Sequence, residues 1–126
     1  MAKKAAMTLG VVFILVGLLG FVNNPILGLF AVDTLHNLIH LVTGIAAVAM
    51  ASKGEAMAKK WAQVFGVIYA LVAVLGLVFA SGGGKLLGLI EVNTADHVLH
   101  VVLSLVILYV GFGMKDMKPM ASGGQM

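Results

Sequence analysis

The chain has 126 residues, of which 61% are hydrophobic and only 10% charged, with a formal net charge of +3 and a mean hydropathy of +1.10. So little polar surface cannot cover a water-soluble globule of this size, which excludes a soluble domain and places the chain in a lipid bilayer. Cysteine is absent, which excludes disulfides and thiolate metal sites.

Four apolar segments, at residues 5–22, 34–51, 61–80 and 94–113, are each long enough to cross a hydrocarbon core, which takes about 20 helical residues or about 17 at the short end. The expected fold is all-α: a four-transmembrane-helix bundle in a single membrane domain at residues 1–114, followed by a short flexible tail at 115–126 with Pro119 and Ser122-Gly123-Gly124.

Lys3 and Lys4 ahead of the first segment also describe the front of a secretory signal peptide. No small-x-small cleavage site follows; Val22 gives way instead to Asn23-Asn24-Pro25, which is turn chemistry. The segment is therefore expected to be retained as a helix. An apolar stretch from Ile26 to Val32 then leads to Asp33-Thr34, preferred N-cap residues, at the start of the second segment. The third segment begins at Trp61, beside Lys59 and Lys60, where an indole fits an interfacial anchor. Ser81-Gly82-Gly83-Gly84-Lys85 forms the next turn, and Leu86 to Val92 is expected in or against the membrane interface. Asn93-Thr94 opens the fourth segment, with Asp96 placed to complete a capping box. Within that segment Ser104 sits mid-helix, where its hydroxyl is expected to bond back to the preceding turn.

One block is written twice. Gly28-Leu29-Phe30-Ala31-Val32-Asp33-Thr34-Leu35-His36-Asn37-Leu38-Ile39-His40 returns sixty residues later as Gly88-Leu89-Ile90-Glu91-Val92-Asn93-Thr94-Ala95-Asp96-His97-Val98-Leu99-His100. A second echo sets Gly10-Val11-Val12-Phe13 and Gly20 against Gly66-Val67-Ile68-Tyr69 and Gly76. Two tandem helical-hairpin repeats are expected, at 5–51 and 61–113, related by an axis along the bilayer normal. Small residues at close-packing spacings, Gly10, Gly17 and Gly20 on the first helix and Gly66, Ala70, Ala73, Gly76 and Ala80 on the third, suit either packing within the chain or a homodimer face.

Orientation follows from the lysines. There is no arginine; seven of the eight lysines lie at the termini and in the 52–60 loop, and only Lys85 lies at the other side. By the positive-inside rule both termini are cytoplasmic. The basic balance is then topology and mild attraction to anionic lipid, with no nucleic-acid site.

All four histidines fall in the repeated block. A helix starting at Thr34 or Thr94 carries His40 and His100 about 9 Å into the membrane, a depth at which polar groups face the bundle interior and find partners. His36 and His40 share a helix face, as do Asp96 and His100. If the second and fourth helices meet, His36, His40, Asp96 and His100 converge as a donor set for a first-row ion such as zinc, iron or manganese. His40 and His100 alone would serve as axial ligands of a haem or related tetrapyrrole. The alternative is a neutral interhelical network in which Asp96 and Asn37 satisfy the imidazoles. His97, whose repeat mate is Asn37, points about 60° around the helix from His100; it stands either behind the ligands as a supporting residue or at the membrane interface. The spacing HxxxH lacks the Glu of a metalloprotease helix, since Asn37 stands there. No serine has a nearby histidine and no phosphate loop is present, so no enzyme is expected.

These features resemble a family of small four-helix bacterial membrane proteins catalogued as a domain of unknown function. The resemblance covers residues 7–113. It rests on Gly10-Val11-Val12-Phe13 with Val16-Gly17 and Leu19-Gly20-Phe21, on Leu35-His36-Asn37-Leu38-Ile39-His40-Leu41 with Gly44, and on Val92-Asn93-Thr94-Ala95-Asp96 followed by Leu99-His100. His97 departs from the family's pattern. The resemblance implies the fold and a bacterial inner-membrane location and brings no activity, substrate or cofactor.

The expected function is thus a small non-enzymatic integral membrane protein, either standing alone or homo-oligomeric, or serving as an accessory subunit of a larger membrane complex. A haem- or metal-binding protein is the first alternative and a proton or ion conductor the second.

Overall fold

The computed structural model describes residues 1–23, 28 and 32–113. The expected turn at Asn24-Pro25, most of the apolar stretch after it and the tail at 115–126 lie outside the described residues. Four helices, each long and apolar enough to cross a membrane, make up most of the described chain. They are α1 (Ala2–Val22), α2 (Thr34–Ala51), α3 (Glu55–Phe79) and α4 (Thr94–Leu108), the last continued by a π-helical turn, Tyr109–Gly113.

Local chemistry sets the helix starts. The Asp33 carboxylate accepts from the His36 backbone N–H at 2.9 Å and caps α2. At α4 the capping box is complete: Asn93 Oδ1 accepts from Asp96 N–H, and Asp96 Oδ2 accepts from Asn93 N–H, both at 2.9 Å. α3 starts at Glu55, six residues before the expected Trp61, because Gly54 turns the chain at a φ of +122° that favours glycine. Glu55, Lys59 and Lys60 then lie in helix together with the apolar Ala56, Met57 and Ala58 between them. The Met1 ammonium reaches Glu55 Oε1 at 2.8 Å and joins the two N-terminal ends.

This earlier start corrects the reading of Trp61. It lies nearly two turns into α3, is fully buried, stacks on Phe65 and donates its indole N–H to the Thr43 carbonyl at 3.2 Å. It is a core residue, not an interfacial anchor.

Between α3 and α4 the chain forms two three-residue strands, β1 (Gly84–Leu86) and β2 (Ile90–Val92), paired antiparallel with Lys85 opposite Glu91. Leu86, Ile90 and Val92 bury with Ala80 against Val72 and Leu75 of α3. The stretch expected at the interface is therefore a hairpin that covers one end of the bundle. Lys85 Nζ bonds Asp33 Oδ2 at 3.2 Å and ties this hairpin to the start of α2.

The most extensive helix contacts are α1 with α2 and α3 with α4; α2 with α3 and α1 with α3 follow, whereas α2 and α4 approach little through their backbones. Small residues make the tight pairs. A Cβ added at Gly44 would lie 2.6 Å from the Gly10 carbonyl, and one at Gly66 would lie 2.9 Å from Leu108. Without water to drive association, such backbone approach is how helices gain contact in lipid. The large residues go outward: Val11, Leu15, Leu18, Val42, Leu71, Val74, Val78 and Leu105 are among the many exposed apolar side chains. An apolar surface of that extent belongs against hydrocarbon.

Candidate functional site

At the end of the bundle covered by the hairpin, the first two turns of α2 present His36 and His40 on one face, with ring centroids 4.5 Å apart. α4 contributes His100, whose ring lies 5.7 Å from that of His36. One nitrogen from each of the three imidazoles lies within 4.8 Å of the other two. The side chains, not the backbones, thus join α2 to α4. The three residues are buried, with 1%, 4% and 3% of their surface exposed. The Nδ1 of His40 has no hydrogen-bond partner among the described residues.

Asp96 takes a different place. It is buried, but it serves the capping box at the first turn of α4 and is not one of the three residues whose donor atoms converge. His97 also stands apart. Its Nε2–H donates to the Ala80 carbonyl, and its Nδ1 lies over Gly76, where an added Cβ would approach to 2.7 Å. On the other hairpin, Asn37 lies over Gly20 in the same manner, its Oδ1 occupying the place a Cβ would take. Neither Asn37 Oδ1 nor His97 Nδ1 has a conventional partner among the described residues. Each is seated on a glycine, in space that the missing Cβ leaves free.

Two aromatic residues complete the surroundings, and neither is foreseen by sequence reasoning. Phe13 of α1 packs edge-on to Tyr69 of α3 with centroids 5.3 Å apart. Phe13 also lies 5.8 Å from His40, and Tyr69 lies 6.2 Å from His100. The one available signal is that Phe13 and Tyr69 hold the same place in the two echoing segments. Tyr69 is held by a directed chain: Thr43 Oγ1–H donates to the Ile39 carbonyl at 2.8 Å, so the Tyr69 hydroxyl donates to Thr43 Oγ1 at 2.9 Å. Ser104 bonds back to Val101, as its mid-helix position requires.

A four-helix, membrane-spanning bundle with a buried histidine cluster near one end is the class these features define. The chain matches the family described as Domain of unknown function (DUF4383) over residues 3–113 and belongs to it. No curated protein and no solved structure matches the chain.

Proposed function

We propose that this is a non-enzymatic protein of the bacterial inner membrane, with both termini cytoplasmic, whose bundle holds one first-row transition ion through His36, His40 and His100. The observation that carries the reading is the convergence of three buried imidazole nitrogens within 4.8 Å of one another. Imidazole suits zinc, copper, iron and nickel. An ion about 2.0 Å from each nitrogen would bring the donors to about 3.5 Å apart, within reach of small side-chain rotations from the present spacing. The His40 Nδ1 without a partner supports a role that a satisfied polar network would not require.

A tetrapyrrole bridging His40 and His100 fits less well, because the His36 ring, 4.5 Å and 5.7 Å from the other two, crowds the space a macrocycle needs. A conductor also gains little support, since the buried polar series among the described residues runs no deeper than Thr43 and Ser104, both bonded back to their own helices. The lysine distribution supports the orientation. The paired placements of Asn37 on Gly20 and His97 on Gly76 support the two-hairpin repeat.

The test is elemental analysis of protein purified in mild detergent beside a His40→Ala/His100→Ala variant. Near-stoichiometric metal lost in the variant is expected, and metal content indifferent to the substitution refutes the site. The small size and short loops suit an accessory subunit; a complex larger than the chain alone is then expected after gentle extraction from the native membrane.

A further inference from the structure

We propose that the lysine-rich end of the bundle binds one anionic phospholipid, its phosphate at Lys4 and its chains in the groove between α1 and α4. The site is separate from the histidine cluster and does not depend on it. It begins with how α4 ends. The π-helical turn at Tyr109–Gly113 leans on α3: the Gln63 amide donates to the Gly111 carbonyl at 2.9 Å, and a Cβ at Gly111 would lie 2.7 Å from the Gln63 backbone nitrogen. Glycine thus lets the end of α4 close on α3. α1 gains little from that closure. It meets the π-helical turn lightly and α4 proper hardly at all, whereas α2 and α3 pack along their seam. A groove of about 360 Å³ stays open between α1 and α4, walled by Met1, Lys4, Ala5, Thr8 and Leu9 on one side and Val106 on the other.

The wall has a polar head and an apolar body. Lys4 and Thr8 are one turn apart on one face of α1, so an ammonium and a hydroxyl follow each other at about 6 Å along the helix axis. Both can donate to phosphate oxygens. Ala5, Leu9 and Val106 are apolar, and the same face of α1 runs on to Val12 and Leu15, both exposed. A ligand of matching form carries its charge at the lysine and its apolar length down the helix. At the end of a membrane span that ligand is a phospholipid.

Charge decides which phospholipid. Lys3, Lys4, Lys53, Lys59 and Lys60 stand at this end, and among the described residues Glu55 is its one carboxylate. Glu55 already accepts from the Met1 ammonium at 2.8 Å and from the Lys3 backbone N–H at 3.3 Å. A headgroup with its own ammonium adds to that positive excess, and one with net negative charge relieves it. The opposite end has no such excess, since Lys85 stands there with Asp33, Glu91 and Asp96.

The test is native mass spectrometry of the full chain in mild detergent, offered phosphatidylglycerol, phosphatidylcholine of the same acyl chains, or glycerol phosphate alone. One phosphatidylglycerol per chain is expected, retained under activation that strips phosphatidylcholine. Lys4→Gln should weaken retention about tenfold, the loss of one charge-assisted hydrogen bond. Val106→Trp, which fills the groove, should lower it at least as far. Lys53→Gln, at the same end and outside the groove, should change it less than about twofold, as a screened exposed charge does. Circular dichroism checks folding, and the contrast between the two lysine variants decides the matter if Val106→Trp fails to fold. Equal retention of the two lipids, retention of neither, or equal loss in the two lysine variants overturns the site. Glycerol phosphate held as tightly as the lipid overturns the lipid assignment. A dimer that Val106→Trp disperses puts a second copy of the chain in the groove and overturns it too.

Discussion

Gly20 and Gly76 are small for a reason that can be checked one atom at a time. Adding a methyl at Gly76 drives it into the His97 ring, and at Gly20 into the Asn37 amide, both in buried surroundings. Gly20→Ala and Gly76→Ala should each destabilise the fold by about 1–3 kcal/mol, the usual cost of overpacking. Gly82→Ala, with nothing within 4 Å of the new atom, should stay within about 0.5 kcal/mol. Thermal unfolding in detergent compares the three. Tyr69→Phe keeps the ring beside His100 and loses only the bond to Thr43, whose own hydroxyl still has the Ile39 carbonyl. Its stability cost should be about 0.6 kcal/mol, the typical value for a hydrogen bond between helices in lipid, and metal retention should stay close to wild type.

Among the elements, the starts of α2 and α4 were the most legible, because Asp33-Thr34 and Asn93-Thr94 carry their capping chemistry in the sequence itself. Asn93→Ala removes the acceptor of the Asp96 N–H and should cost about 1 kcal/mol, seen as faster hydrogen exchange in the first turn of α4. Lys85→Ala breaks an ion pair whose lysine is more than half exposed and should change stability by no more than about 1 kcal/mol. The start of α3 was misread because Glu55, Lys59 and Lys60 interrupt the apolar run, and hydropathy marks where a helix enters the membrane and not where it begins. The β1–β2 hairpin was hidden for another reason. Its apolar residues do not alternate cleanly, with Leu87 and Leu89 exposed beside buried Leu86 and Ile90, so no period of two announces a strand. The site was legible in part. The spacing of His36 and His40 places both on one face, but the approach of His100 depends on how four helices pack. Asp96 illustrates the limit: the same residue reads as ligand or as cap, and tertiary structure puts it in the cap. Phe13 and Tyr69 gave no chemical signal, since aromatic residues are unremarked in an apolar helix.

At the scale of the whole molecule, the lysine asymmetry predicts a topology that can be measured directly, and a chain without native cysteine suits the measurement. In intact cells Lys53→Cys should resist a membrane-impermeant thiol reagent, and Gly82→Cys should react with it; the reverse pattern would invert the orientation. The apolar exterior and small-residue interior divide labour between lipid and protein: bulky side chains meet acyl chains, and glycine and alanine bring backbones together. Trp61 has a consequence of a different kind. It is the chain's single tryptophan, and its indole N–H is fixed to the carbonyl of Thr43, the residue whose hydroxyl holds Tyr69 beside His100. Two hydrogen bonds through Thr43 thus join this one indole to Tyr69, and if the imidazoles hold an ion as proposed, the chain's own ultraviolet emission should change as the site fills, with no dye attached.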